Sequence, residues 1–81
     1  MPDEKLYQGI VQKVITNGHH GPYVVARCEE LNELITFSLK ECVWKENDWP
    51  EEGMYVVLSK LRKKRSGWRA MQALFERPSI G

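Results

Sequence analysis

Residues 68–75, Trp68-Arg-Ala-Met-Gln-Ala-Leu-Phe75 (WRAMQALF), decide the fold. By propensity alone the stretch is helical, because alanine, methionine, glutamine and leucine are good helix formers. Its setting points the other way. Upstream, MYVVLSKL (54–61) is β-rich and keeps Val56 and Leu58 on one face. Ser66-Gly67 then stands between that run and Trp68 as a hairpin turn stands between two strands. Strand is therefore expected over 68–75, paired with 54–61. Leu61 breaks the alternation, and a bulge near Ser59–Lys60 is expected to return it to the core.

Outward from this hairpin the same grammar holds. LYQGIVQKVI (6–15) is a β-branched first strand, in which Gly9 suggests a bulge or a sharp bend. TNGHHGP (16–22) is dense in turn formers and ends it. YVVARC (23–28) is a second strand, EELNE (29–33) a turn and LITFSL (34–39) a third strand. In KECVWKENDWPEE (40–52) the alternation is lost, and Pro50 blocks a long helix, so a helical turn plus loop is expected. Five short strands with a longer irregular link between the third and fourth predict an all-β chain, a small five-stranded OB-fold-like barrel. An SH3-like barrel is the alternative that the same patterning leaves open. The 81 residues form one domain near the lower limit for a self-supporting core, with the barrel over about 5–75 and a tail over 76–81.

No apolar run approaches the ~20 residues that cross a bilayer, and the start, MPDEK, lacks the basic and apolar regions of a signal peptide. A cytoplasmic location without membrane contact is the default expectation. Cys28 and Cys42 form no CxxC pair, and the adjacent His19 and His20 lack metal-ligand spacing. Two reduced, at least partly buried thiols and no metal or cofactor are expected.

Charge is distributed unevenly. Residues 1–52 carry ten acids and five bases, a net of −5, whereas residues 53–81 carry seven bases and one acid, a net of +6. The basic half is the candidate for a polyanion. Its centre is LRKKRSGWRA (61–70), which holds five of the twelve basic residues: Arg62, Lys63, Lys64, Arg65 and Arg69. Phosphate contact by the run, with Trp68 stacking on a base, is the functional reading. A solvated hairpin tip that discourages strand pairing is the plainer one. Since side chains alternate across a strand, only about half the run faces any one ligand.

Of the other aromatics, one of Trp44 and Trp49 is expected to plug the barrel end and the other to stand as an exposed platform. Tyr7 and Tyr55 are expected at the core rim, and Phe75 within the core. No Gly-rich phosphate loop and no nucleophile elbow occurs, and thiols on strands are expected to be buried and inert, so an enzyme is not expected.

The order of elements resembles the cold-shock type of OB-fold. GIVQKV (9–14) is similar to that family's Gly-x-Val-Lys-Trp-Phe strand, HHGPYVV (19–25) to its Gly-Phe-Gly-Phe-Ile segment, and ITFSL (35–39) to the Val-His-Phe-Ser-Ala end of strand three. PEEGMYVVL (50–58) resembles the Leu-Glu-Glu-Gly entry to strand four, and RSGWRAMQA (65–73) the closing Arg-Gly-Pro-Gln-Ala hairpin. The resemblance implies a base-binding sheet face. In this chain the strand-one tryptophan position holds Lys13, and the remaining face positions hold His20, Tyr23 and Phe37.

Together these readings predict a single-stranded nucleic-acid binder, RNA before DNA, with little sequence specificity. Lys13, His20, Tyr23 and Phe37 would form a reduced sheet face, and Arg62, Lys64, Arg65, Trp68 and Arg69 a basic hairpin arm. The alternative is a protein-interaction module whose acidic region, residues 29–52, meets a basic partner.

Overall fold

Strand β1 (Tyr7–Ile15) changes partner halfway along, and that change closes the sheet. Its first part, Tyr7–Ile10, pairs with β4 (Tyr55–Lys64), and its second, Ile10–Ile15, with β2 (Tyr23–Cys28). The structure, a computed structural model, describes residues 5–19, 21–65 and 67–76. β2 continues antiparallel into β3 (Glu33–Ser38), and β4 into β5 (Gly67–Phe75). A short parallel pairing of β3 with β5 completes a closed barrel in the order β1-β2-β3-β5-β4. The chain is thus all-β, an OB-fold-like five-stranded barrel, and WRAMQALF is strand. Of the expected tail only Glu76 lies within the described residues. No helix among the described residues is long and apolar enough to cross a membrane.

Helix propensity loses in β5 because its alanines are needed inside the barrel. Ala70 and Ala73 are fully buried with Ala26, and these small residues leave room for Phe37, Ile35 and Leu58. Small barrels fill their interior by such alternation of sizes. Trp44 plugs one end, 3% exposed. Its ring stacks on Phe37 at 5.6 Å, meets Phe75 edge-on at 4.9 Å, and its Nε1–H donates to the Asp48 carbonyl at 2.8 Å. A helical turn sets it there, since the Val43 and Trp44 amides both donate to the Lys40 carbonyl. The link then runs beside β5: Lys45 N–H donates to Ala73 O, Ala73 N–H to Val43 O, and Phe75 N–H to the Glu46 carboxylate. Edge groups of β5 that β3 does not reach are satisfied this way.

Four expectations need correction. The bulge in β1 lies not at Gly9 but at Gln12, where the pairing steps from Val11↔Ala26 to Lys13↔Val25. Gly9 serves close approach instead: a Cβ there would meet Leu58 Cδ1 at 2.9 Å and Ala26 Cβ at 3.3 Å. No register shift marks Ser59–Lys60 either: the β4–β5 pairs keep one register on both sides of a gap in the ladder between Ser59↔Gln72 and Leu61↔Ala70. The phase shifts through Lys60, which is left-handed at φ 56°, and Leu61 does pack on the core. Tyr55 is exposed rather than at a core rim, and Cys42 is exposed while Cys28 is buried; both thiols are free.

Candidate nucleic-acid interface

Residues paired across neighbouring strands share a face of the sheet. The pairings Lys13↔Val25, Val25↔Thr36, Thr36↔Arg69 and Arg69↔Arg62 therefore line up one row on the outside of the barrel, crossing all five strands. Three of its five members are basic and exposed, and Val25 and Thr36 between them are half-buried. At about 4.8 Å per strand, Lys13 is about 14 Å from Arg69 measured along the curved wall, and Arg69 about 5 Å from Arg62.

The Gln12 bulge puts Lys13 in this row. Val11 is buried; a regular strand would turn Gln12 outward and Lys13 inward. With the extra residue, Gln12 and Lys13 are both exposed and Val14 packs on the core instead. Re-aiming a side chain is what a bulge does.

In the hairpin, alternation divides the basic run between two faces. Arg62, Lys64 and Arg69 point outward, Lys64 opposite the bare Gly67. Lys63 lies opposite Trp68 on the other face, with its ammonium 5.1 Å from the indole centroid. Trp68 pairs with the buried Ile35 and packs against the core. Its backbone carbonyl accepts a hydrogen bond from the Thr36 hydroxyl at 3.4 Å. So Trp68 and the outward cations, expected as one unit, face apart. Arg65 is exposed at the hairpin end.

The sheet-face residues separate likewise. Phe37 is fully buried under Trp44, and a ring without exposed surface offers nothing to a base. This corrects its expected place on the binding face. Inward alternation of β3, with Ile35 and Phe37 both at 0% exposure, is the cause. Tyr23 does face outward, between Ile15 and Ser38, half-buried, in the next row beyond Lys13. His20 lies outside the described residues. One outward residue escaped the sequence reading: Leu34, half-exposed at the start of β3 beside Arg27. The signal was present, since β2 and β3 alternate and Leu34 is out of phase with Ile35.

None of Lys13, Arg62, Lys64, Arg65 and Arg69 forms an ion pair among the described residues. The acids Glu29, Glu30 and Glu33 lie at the β2–β3 turn and the start of β3, and Glu30 is paired with Lys5. Among the described residues no three of His, Cys, Asp and Glu come together as a metal site. What the surface can do chemically is hold anions at several points along a line. No family model, curated protein or solved structure matches this chain.

Proposed function

We propose that this barrel binds single-stranded nucleic acid, RNA in the first place, through its sugar-phosphate backbone. The row Lys13–Arg69–Arg62 carries the reading: three exposed cations on the outer wall of the barrel, none in an ion pair among the described residues and two of them directly opposed. Lys64 extends it outward and Arg65 lies at the end of the hairpin. Each cation set against a phosphate releases condensed counterions, and that release supplies affinity without sequence information. Low sequence specificity follows. Tyr23 is the aromatic left on this face for a base to stack on, so stacking contributes little beside the phosphate contacts. RNA comes before DNA on the resemblance to cold-shock domains.

A titration of 15N-labelled protein with oligouridylate and with oligodeoxythymidylate tests this. Amide shifts should concentrate at Lys13, Thr36, Arg62, Lys64 and Arg69, with tighter binding of the RNA. An absence of shifts, or shifts confined to the β3–β4 link, would overturn the reading.

A further inference from the structure

Three large hydrophobic side chains are held out in water within seven residues of each other. Trp49 is 51% exposed, Met54 42% and Tyr55 51%. They share the segment DWPEEGMY (48–55) with Asp48, Glu51 and Glu52, all exposed, and with no base. Single exposed hydrophobics need no explanation, but three so close along the chain do: Tyr55 faces outward beside Ile10, while Met54 faces the other way with its sulfur accepting from the Glu51 amide at 3.2 Å.

This segment is fixed from both ends. Pro50 is buried, and the Asp48 carbonyl accepts from the Trp44 indole at the barrel plug. Gly53 N–H donates to Val11 O at 2.8 Å, and Val11 N–H to Met54 O at 2.9 Å, prolonging the β1–β4 ladder. Met54 N–H closes a turn onto Glu51 O. Side chains presented by so tied a backbone lose little freedom on binding. Tryptophan, tyrosine and methionine are also the residue types enriched where proteins meet. Half-buried Ile10 stands opposite Tyr55 and continues the apolar surface onto β1.

Charge selects the occupant. Among the described residues none of the carboxylates of Asp48, Glu51 and Glu52 forms an ion pair. We propose that segment 48–55, with Ile10, docks a basic segment of a partner protein. Arginine or lysine side chains of that segment lie over the Trp49 and Tyr55 rings and pair with the three carboxylates. Apolar residues between them rest on Ile10. The same carboxylates repel nucleic acid. From Tyr55 to Arg62 along β4 is seven residues, about 23 Å at about 3.3 Å each, whereas Ile10 and Lys13 are three residues, about 10 Å, apart on β1, so the two surfaces are separate at the hairpin and adjoin at β1. The proposal does not rest on the nucleic-acid reading.

The test is NMR on the full chain, whose three tryptophans give three indole signals. The probes are a short peptide of arginine, leucine and glycine and its charge-reversed twin with glutamate for arginine. The basic peptide should move the Trp49 indole and leave those of Trp44 and Trp68 in place; the acidic twin should move none. W49A/Y55A should weaken binding about tenfold or more, the loss expected when interface aromatics are truncated. D48N/E51Q/E52Q should weaken it and flatten its salt dependence. An unmoved Trp49 signal, or binding by both variants as tight as the parent's, overturns the proposal. So does a Trp49 signal that moves with protein concentration alone and stops doing so in R62Q/K64Q, since the occupant is then a second copy. Glu76 stands beside Tyr55, its N–H donating to the Tyr55 carbonyl at 3.1 Å. If only a chain ending at Glu76 binds the peptide, the face belongs to the chain's own end and the proposal fails.

Discussion

Arg62 and Arg69 stand directly opposite each other on the outer face of the β4–β5 ladder, with no acid paired to either among the described residues. Like charges so placed destabilise a sheet, and an opposite pair at the same positions stabilises it. A site that grips an anion carries this cost in the free protein and loses it on binding.

Arg69→Glu should therefore raise stability and lower oligonucleotide affinity together. The expected gain is about 0.5–1 kcal/mol, read as a higher urea midpoint at unchanged m-value. A stability gain with undiminished RNA binding would remove Arg69 from the interface. A stability loss would contradict the account of the opposed pair.

Trp68→Ala should act on the fold more than on the ligand. The ring packs against the core under the Lys63 ammonium, and truncation of a half-buried tryptophan should cost about 1–3 kcal/mol. In the folded fraction the salt dependence of RNA binding should be that of the parent. Unchanged thermal stability with a large loss of affinity would restore Trp68 as a base-stacking ring.

The hairpin was legible because turn chemistry at Ser66-Gly67 outweighed the helix propensity of Ala70, Met71 and Ala73. Its division into two faces was legible in principle too, since alternation alone sends Arg62 and Lys64 one way and Lys63 the other. Phe37 misled because alternation fixes relative faces within a strand, not which of the two is buried. That choice depends on Trp44, which comes from a link without periodicity. Lys13 is exposed, but the device that exposes it is the bulge at Gln12, and no glycine or proline marks that site. Tyr55 and Trp49 owe their exposure to the way the link is tied to β1, a non-local arrangement that composition does not record.

Gly9→Ala tests the close approach in β1. The added methyl would meet Ala26 Cβ at 3.3 Å and Leu58 Cδ1 at 2.9 Å, both residues fully buried. Overpacking of this kind should cost about 1–3 kcal/mol. A neutral or stabilising effect in thermal unfolding would show that the strand crossing has slack.

Trp44→Phe removes the donor to the Asp48 carbonyl and leaves a gap between Phe37 and Phe75. Stability should fall by about 1–3 kcal/mol. Hydrogen exchange should also quicken at Gly53 and Met54, whose segment is tied down through that bond. Faster global unfolding without a local effect at those amides would mean that the plug and the segment are independent.

The most direct test of phosphate binding by the outer face uses three consecutive positions, Arg62, Lys63 and Lys64. Anisotropy of labelled oligouridylate, followed over rising potassium chloride, gives the slope of log affinity against log salt. Each phosphate contact on a single strand contributes about −0.7 to that slope. R62Q/K64Q removes two outward charges, so the slope should flatten by about 1–1.5 and affinity should fall. K63Q removes a charge from the opposite face of the same hairpin and should leave the slope that of the parent. If K63Q flattens it as much per charge as R62Q/K64Q does, or if R62Q/K64Q binds like the parent at every salt concentration, the outer face is not the site.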